Sequence, residues 1–405
     1  MIAEEINPEG ISSAEIIVSI PSYNEAEGIG FPTIKAGEGL IEFFGDKKSV
    51  IINCDNHSTD GTRDVFLNTP TKVPKIYIST PEGVKGKGNN FKNLFQKAIE
   101  LKADSIIVVD ADLKSITPLW IKRLGDPLTQ DFGYVAPLYV RHKYDGTITN
   151  AIAYPITRAL YGRRVRQPIG GDFGFSGKLA GIYSSSDTWN QAVSQFGIDI
   201  WMTTLAMNNG IPTCQTFMGR PKIHKPKDPS SDLGPMFRQV VGTIFEMMIS
   251  LAEFWKAVKW SKPTAIFGFG LGEVELPPPV HVDREKLYQN FINGFDKNYD
   301  LWREALSKPI LDKLDEIRSL NEDKFDFPTH VWVKVLYDTA IAYKNAVGGD
   351  FDALLDALIP LYYGKTLSFV KKTERMSIQE AEEFIENEAL VFEETKPYLV
   401  ENWPD

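Results

Sequence analysis

The feature that most constrains the fold is the alternation of short apolar runs with amphipathic segments over the first 110 residues. The apolar runs are rich in Ile and Val and cover residues 16–20, 49–54, 75–78 and 105–109. Between them, residues 34–44, 60–67 and 89–101 carry apolar side chains at helical spacing. Because a run that is apolar throughout suits a parallel strand covered on both faces, the pattern predicts an α/β fold with a doubly wound, Rossmann-like sheet.

The alternation becomes less regular beyond residue 119. We predict a strand over residues 134–140, a loop over the Gly- and Arg-rich residues 161–181, and a long helix over residues 236–258. After a run of three prolines, residues 283–405 are almost entirely helical in pattern, and Ser377 with Glu380 predicts a capping box. We therefore predict a catalytic domain over residues 1–260, with a donor half at about 15–120 and an acceptor half at about 120–260. A mainly helical C-terminal extension is predicted over residues 261–405.

Composition narrows the class of protein. The 405 residues carry a net charge of -10, which does not favour binding to a nucleic-acid backbone. No apolar stretch reaches the roughly 18 residues that a membrane span needs, and residues 1–14 lack the basic and apolar regions of a signal peptide. Cys54 and Cys214 have no metal-binding spacing and are expected to be reduced and buried. We expect a cytoplasmic protein that binds neither nucleic acid nor membrane.

Two carboxylates follow the fourth apolar run directly, in the segment Asp110-Ala111-Asp112. Ligands of open α/β sheets bind beyond the carboxyl ends of the strands. Two acids at that place concentrate negative charge, and a hard divalent cation such as Mg²⁺ or Mn²⁺ would neutralise it together with substrate phosphates. The alternative is that the two acids only cap a helix.

Two further strand ends and one loop carry polar groups that suit a nucleotide. Residues 21–25 read Pro-Ser-Tyr-Asn-Glu, and residues 55–62 read Asp-Asn-His-Ser-Thr-Asp-Gly-Thr. Residues 83–88, Gly-Val-Lys-Gly-Lys-Gly, precede a predicted helix whose N-terminus would favour an anion. Helix capping and a plain turn are the alternatives for each segment alone, but three polar strand ends at one sheet edge favour a nucleotide site.

In this order, the motifs resemble those of the GT-A glycosyltransferases. Residues 166–172 (Arg-Gln-Pro-Ile-Gly-Gly-Asp), Gly197-Ile198-Asp199, and His224 followed by Asp232-Leu233-Gly234 resemble a narrower group. That group is the retaining glucosyl-3-phosphoglycerate synthases and the related glucosylglycerate and mannosylglycerate synthases. The resemblance covers residues 16–248 and implies a metal-dependent sugar transfer from a nucleoside-diphosphate sugar.

The resemblance also implies roles for individual residues. Asp112 and His224 would bind Mg²⁺ or Mn²⁺, and Asp112 and Asp199 would be the catalytic residues. Lys87 would lie by the ribose and diphosphate, and Asp110 by ribose or sugar hydroxyls. The full set of donor-binding residues is Pro21, Tyr23, Glu25, Asp55, Ser58, Lys87, Asp110 and Ala111.

The acceptor side departs from the phosphoglycerate enzymes of this group. Their loop after the Gln-Pro motif carries arginines, whereas residues 173–177 here read Phe-Gly-Phe-Ser-Gly. A phosphate without such partners would bind weakly, so we expect D-glycerate as the acceptor, with Arg163, Arg164 and Arg166 as an alternative anion clamp. The predicted acceptor-binding residues are Arg166, Gln167, Phe175 and Ser176. In a retaining enzyme Asp199 would orient a hydroxyl, and in an inverting one it would be the general base.

The sequence therefore predicts a glucosylglycerate or mannosylglycerate synthase that uses a GDP- or UDP-linked sugar and makes a compatible solute. Three alternatives remain open. They are a glucosyl-3-phosphoglycerate synthase, an inverting family 2 transferase acting on a lipid or polysaccharide, and a non-catalytic regulator that binds nucleotide sugars. The helical extension offers a surface for a homodimer.

Overall fold

The computed structural model describes residues 1–223, 234–269, 275–346 and 350–404. The chain forms two compact units, each assembled from three segments. Unit 1 comprises Met1–Val140, Val165–Pro226 and Thr264–Pro277, and unit 2 comprises Arg141–Arg164, Lys227–Pro263 and Pro278–Asp405.

Unit 1 contains the strands of the protein and six α-helices among its described residues. The strands are β1 (Glu4–Ile6), β2 (Ile16–Ser22), β3 (Ser49–Asp55), β4 (Lys75–Ser79), β5 (Ser105–Val108), β6 (Tyr134–Leu138), β7 (Phe173–Ser176), β8 (Thr213–Phe217) and β9 (Ala265–Phe267). The helices are α1 (Gly30–Phe44), α2 (Thr62–Asn68), α3 (Lys87–Glu100), α4 (Pro118–Gly125), α6 (Gly177–Ser185) and α7 (Ile198–Asn208), with a 3₁₀ turn at Asp126–Thr129.

Within the described residues these strands form one nine-stranded sheet in the order β1-β4-β3-β2-β5-β7-β6-β8-β9. Strands β4, β3, β2 and β5 are mutually parallel, with Ile16 beside both Ser49 and Ser105. Strand β7 runs antiparallel between β5 and β6. The strand order reverses between β2 and β5, and this is the switch point at which open α/β sheets bind ligands.

The central strands are covered on both faces, as their apolar sequences require. One face packs against α1 and α4 in a cluster that includes Val18, Ile107 and Trp120. On α3, Phe95 packs against Phe175 of β7 at 5.7 Å between ring centroids, and this covers the opposite face. The predicted α/β class and doubly wound sheet are confirmed.

Unit 2 is helical in its described residues, apart from an isolated β-bridge. Its α-helices are α5 (Tyr154–Tyr161), α8 (Gly234–Ser250), α9 (Ala252–Ala257), α10 (Arg284–Ala305), α11 (Lys308–Arg318), α12 (Thr329–Asn345), α13 (Phe351–Thr373) and α14 (Ile378–Asn402). A π-helical turn at Thr149–Ala153 precedes α5, and a 3₁₀ turn lies at Glu322–Lys324. No helix in the described part of the chain is long and apolar enough to cross a bilayer.

Local sequence signals account for several helix ends in unit 2. The predicted capping box is present at the start of α14, where Ser377 and Glu380 bond reciprocally to backbone N–H groups. At the end of α13, Lys143 Nζ donates to the carbonyl oxygens of Thr373, Glu374 and Met376 at 2.7, 3.0 and 2.7 Å. The lysine thus satisfies carbonyls that a helix end leaves without partners.

Two sequence predictions need correction. The helix predicted over residues 236–258 is two helices, α8 and α9, with Leu251 between them outside helical geometry. The loop predicted over residues 161–181 contains strand β7 and the start of α6. Strand β7 is short and includes Gly174, where a Cβ atom would lie 2.5 Å from the carbonyl oxygen of Leu124. Glycine is required there by close packing of the backbone, although in a sequence it is typical of a loop.

Both cysteines are free and buried, as predicted. Burial raises the pKa of each thiol to about 12, which keeps it protonated and unreactive near neutral pH.

Candidate functional site

Polar residues from β2 and β3 meet around Asp55, at the carboxyl ends of these two strands. Its Oδ1 accepts hydrogen bonds from the Ser22 and Ser58 hydroxyls, both at 2.6 Å. Its Oδ2 accepts from the Ser58 backbone N at 2.6 Å and the Tyr77 hydroxyl at 3.0 Å. Asp55 is almost completely buried, so this carboxylate organises the strand ends from beneath the surface. Ser58 Oγ in turn accepts from the backbone N of Asn24 and so links the two polar segments.

A chain of amide hydrogen bonds connects these strand ends to the Gly-Lys-Gly loop. Asn56 Nδ2 donates to Asn90 Oδ1 at 2.6 Å, and Asn90 Nδ2 donates to the carbonyl of Ser22 at 3.1 Å. The backbone N of Gly86 donates to Asn56 Oδ1 at 2.8 Å. The three buried or half-buried segments are therefore fixed relative to one another, which positions Lys87 at the first residue of α3.

The glycines of this loop are required by packing within unit 1. Gly86 has φ +122°, a conformation that residues with a side chain rarely adopt. A Cβ atom on Gly86 or Gly88 would overlap the backbone of residues 193–194. Close packing is therefore a reason for these glycines in addition to the phosphate binding or the plain turn that the sequence predicts.

Lys87 lies between two of the predicted acids. Its Nζ is 3.1 Å from Asp110 Oδ1, 3.3 Å from Asp199 Oδ1 and 3.3 Å from the carbonyl oxygen of Gly171. Burial disfavours the ammonium form, but the charges of Asp110 and Asp199 outweigh burial and raise the pKa of Lys87. Lys87 therefore carries a positive charge at the sheet edge where the donor diphosphate was predicted.

One carboxylate oxygen of Asp199 is available as a hydrogen-bond acceptor. It lies in the first turn of α7 and its side chain is 12% exposed. Its Oδ1 accepts no hydrogen bond from the residues that the structure describes, although Lys87 Nζ is close enough for an ion pair. Burial raises the pKa of this carboxyl group. Such an atom is suited to accept a hydrogen bond from a substrate hydroxyl.

Asp110 pairs with a second lysine that the sequence analysis did not identify. Lys222 Nζ lies 2.7 Å from Asp110 Oδ2, 3.0 Å from Asp172 Oδ2 and 2.9 Å from the carbonyl oxygen of Gly170. Burial alone would raise the pKa of Asp110, but Lys222 and Lys87 hold it well below its ordinary range. Asp172 ends the motif of residues 166–172, and Lys222 lies 112 residues from Asp110 in sequence, so no local pattern indicates that they contact the same carboxylate.

The second acid of the motif, Asp112, is half-buried and follows the buried Ala111. A Cβ atom on Gly28 would lie 2.9 Å from the carbonyl oxygen of Ala111, 3.3 Å from Glu25 Oε2 and 3.4 Å from Asp112 Cα. The Glu25 carboxylate therefore lies near the Asp110-Ala111-Asp112 segment. Gly28 lies between the two and has no side chain to separate them. Oxygen ligands of this kind suit Mg²⁺ or Mn²⁺.

The metal site predicted from sequence is only partly within the described structure. In residues 1–223, 234–269, 275–346 and 350–404, no three His, Cys, Asp or Glu side chains form a group that could hold a metal ion. His224, the predicted second ligand, lies outside the described residues. Asp112 is thus the one predicted ligand whose position the structure gives.

The remaining donor residues lie on the same two strand ends. Pro21 is part of β2 and is buried opposite Cys54 of β3. Tyr23 is 40% exposed, with Lys85 Nζ 4.7 Å from its ring centroid. The structure therefore brings the donor-binding set predicted from sequence to one edge of the sheet.

The predicted acceptor residues do not all lie there. Ser176 pairs with Ser105 at the start of β5, whereas Asp172 Oδ1 accepts a hydrogen bond from the Asp110 backbone N at 2.8 Å. Because β7 is antiparallel to β5, each residue beyond 172 lies farther from Asp110. Phe175 is fully buried in the aromatic core, and Ser176 caps α6. The segment nearest to the carboxylate cluster is therefore 170–172, in place of the expected 173–177.

Gln167 and Arg166 lie near the end of β6 and in unit 1. The Gln167 side-chain amide pairs with the Tyr139 backbone, donating to its carbonyl oxygen at 3.1 Å and accepting from its N at 3.3 Å. The backbone N of Arg166 donates to Gln215 Oε1 at 2.6 Å. Both residues are buried, so Gln167 fixes the segment that leads to Gly170.

No family model and no curated protein sequence matches this chain. Similar solved structures include glucosyl-3-phosphoglycerate synthase from Mycobacterium tuberculosis in complex with Mn²⁺, UDP and glucosyl-3-phosphoglycerate. It is 24% identical, with 58% of this chain and 80% of that chain covered and a TM-score of 0.46. The same synthase with Mg²⁺ and UDP is 22% identical, with 58% and 79% covered and a TM-score of 0.45. Its complex with Mn²⁺, UDP-glucose and phosphoglyceric acid is 23% identical, with 58% and 79% covered and a TM-score of 0.44.

Proposed function

We propose that the protein is a glycosyltransferase that moves glucose or mannose from a nucleoside-diphosphate sugar to a small carboxylate acceptor, D-glycerate. The observation that carries the proposal is the convergence of Lys87, Asp110 and Asp199 within 3.3 Å contacts at the switch point of the sheet. A cation, a hydrogen-bonding carboxylate and a second acid with an unsatisfied oxygen are the groups that such a transfer needs. Their position beyond the carboxyl ends of β2, β3 and β5 fits a nucleotide ligand.

The donor would lie along the edge formed by the two polar strand ends. Glu25 and Ser58 would face the base, and Asp110 the ribose or sugar hydroxyls. The Lys87 ammonium, at the N-terminus of α3, would contact the diphosphate, since helix N-termini and lysine both favour anions. In this arrangement Lys87 exchanges part of its contact with Asp110 for phosphate oxygens.

Asp112 would hold Mg²⁺ or Mn²⁺ together with His224, the ligand that the motif resemblance adds. When bound, the metal supplies neutralisation of the charge that grows on the diphosphate leaving group. Asp112 fits this part because it is half-buried in a segment that lies near the Glu25 carboxylate, and carboxylate oxygens are the hard ligands that either ion takes.

Transfer requires that the acceptor hydroxyl approaches the anomeric carbon. Asp199 Oδ1 would accept a hydrogen bond from that hydroxyl and orient it. A bond then forms between the hydroxyl oxygen and the anomeric carbon, and the bond from that carbon to the diphosphate oxygen breaks. In the retaining course that we favour, the hydroxyl proton passes to the departing diphosphate.

The acceptor is proposed to lack a phosphate because the cations near the acids are already engaged. Lys222 is 4% exposed and bound to three protein acceptors, and strand β7, where related enzymes carry arginines, has the sequence Phe-Gly-Phe-Ser. A carboxylate requires fewer hydrogen-bond donors for binding than a phosphate dianion does. Glucosyl-3-phosphoglycerate synthesis is the alternative, and it differs only in the acceptor.

The test is release of nucleoside diphosphate, with Mn²⁺ or Mg²⁺, from UDP-glucose, ADP-glucose, GDP-glucose and GDP-mannose. Each donor is combined with D-glycerate, 3-phosphoglycerate or no acceptor. Release that depends on D-glycerate, with formation of the α-glycoside, is the expected result. Release only with 3-phosphoglycerate would correct the acceptor, and absence of both release and nucleotide binding would reject the enzyme.

A matched control separates loss of the site from loss of a buried lysine. Lys97 lies on the same helix as Lys87, its side chain is 2% exposed, and it pairs with Glu5 and Glu100. Lys97→Met should keep wild-type turnover, whereas Lys87→Met should lower kcat/KM by about 100-fold, as expected when a group that stabilises transition-state charge is lost.

A further inference from the structure

Lys222 is held by short contacts with the protein and is almost completely buried. Lys222 Nζ donates hydrogen bonds to Asp110 Oδ2 at 2.7 Å and to the carbonyl oxygen of Gly170 at 2.9 Å, and it forms an ion pair with Asp172 Oδ2 at 3.0 Å. The Lys222 side chain is 4% exposed. It is therefore enclosed by the protein, on the inner side of Asp110.

Lys87 is more exposed than Lys222, and its contacts with the protein are longer. Its side chain is 15% exposed, and its nearest acceptor atoms lie at 3.1 and 3.3 Å. These contacts are longer than the 2.7 Å contact that Lys222 makes to the same carboxylate. Both lysines contact Asp110. Lys87 is thus the one able to exchange this contact for a phosphate, whereas Lys222 keeps its contact with Asp110.

Asp172 extends the inner network. Its side chain is 0% exposed, and its Oδ1 accepts from the backbone N of Asp110 at 2.8 Å. Its Oδ2 lies beside Lys222 and accepts a hydrogen bond from the Tyr139 hydroxyl. Asp172 therefore holds the Asp110 backbone, while Lys222 holds the Asp110 side chain.

The effect of losing Lys222 depends on whether Asp172 is charged, and the reverse is also true. Without Lys222, the buried Asp172 would lose its paired cation and face the Asp110 carboxylate, and a buried charge left without its partner is strongly destabilising. Without both charges, the Asp110 side chain would still contact Lys87. The two single losses should accordingly differ from the double loss.

We propose that Lys222 and Asp172 are positioning residues. They fix Asp110 in the place where its carboxylate binds the sugar donor, and they do not contact the donor themselves. The inference rests on the proposed function, because it assigns Asp110 to the donor. It adds a specific consequence: loss of Lys222 impairs use of the donor while use of the acceptor is retained.

The experiment compares wild type with Lys222→Met, Asp172→Asn and the double variant, using the full chain. Donor KM, acceptor KM and kcat are measured below the unfolding temperature of each variant, with Lys97→Met as the buried-lysine control. Lys222→Met should lower kcat/KM for the donor by about 100-fold, mainly through donor KM, with acceptor KM changed less than about 3-fold. The double variant should recover about 10-fold of that loss, since no buried charge is left unpaired.

The outcomes distinguish the two proposals. An active wild type with wild-type donor KM in Lys222→Met would overturn the positioning role and leave the proposed function standing. Equal increases in donor and acceptor KM, or a double variant no better than Lys222→Met, would also overturn it. A wild type that neither binds UDP with Mn²⁺ nor transfers sugar would overturn both.

If Lys222→Met does not fold, the double variant and Asp172→Asn decide the question. Each should raise donor KM by about 10-fold, because Asp110 keeps Lys87 but loses part of its support. A wild-type donor KM in both would refute the inference.

Discussion

Gly171 offers the most direct test of the site geometry, because a single methyl group there would enter the carboxylate cluster. Gly171 has φ +90°, and its Cβ position would lie 2.6 Å from Asp110 Oδ2 and 2.6 Å from Lys222 Nζ. Ordinary contacts of a Cβ atom begin at 3.4 Å, so Gly171→Ala requires a shift of about 0.8 Å in the loop or in the ion pair.

The magnitude follows from two costs. An alanine forced into left-handed backbone geometry costs about 1–2 kcal/mol, and disturbing a buried ion pair adds to this, so we expect a loss of about 2–4 kcal/mol in the free energy of unfolding. A misplacement near 1 Å at reacting groups reduces turnover by about 100-fold. We therefore expect Gly171→Ala to have a lower unfolding temperature than wild type and a kcat/KM for the donor that is reduced by about 100-fold.

The assay pairs thermal unfolding with steady-state release of nucleoside diphosphate. Gly181→Ala is the matched control: Gly181 lies inside α6, and nothing is within 4 Å of its Cβ position. That change should keep full activity and raise stability by up to about 1 kcal/mol, because alanine is the better helix former. Wild-type unfolding temperature and turnover in Gly171→Ala would refute the geometry on which the site rests.

Three further outcomes are expected. Asp112→Ala, or chelation of divalent cations by EDTA, should abolish turnover while the unfolding temperature of the variant stays near wild type; metal-independent release would contradict the role of Asp112. Ser377→Ala should remove the capping box with Glu380 and lower stability by about 1 kcal/mol with unchanged kcat; an unchanged unfolding temperature would count against it. Burial lowers the pKa of Lys396 to about 8. Between about 8 and 10.5 the unfolded chain therefore binds more protons than the folded one, so stability rises with pH across this window. Lys396→Met should lack this rise in stability with pH. The free energy of unfolding is measured by urea unfolding at several pH values, and the same pH dependence in the variant and the wild type would refute the prediction.

The sequence by itself determined the first half of the fold and the edge that carries the candidate site. Runs such as residues 106–109 are apolar throughout because parallel strands are covered on both faces. The carboxyl ends of parallel strands lie at one edge, so the polar residues after β2, β3 and β5 were predicted to meet there. Asp55, Lys87 and Asp110 could be identified in this way because each follows or opens a regular element.

Only the tertiary structure decided which groups surround those acids. The direction of β7 brings Asp172 to Asp110 and carries Ser176 to the other end of β5, and a short strand with Gly174 gives no periodic signal of that direction. Lys222 reaches Asp110 across 112 residues of sequence. Periodicity records which face of an element is buried, whereas pairing between distant segments depends on strand order and packing, which local sequence does not specify.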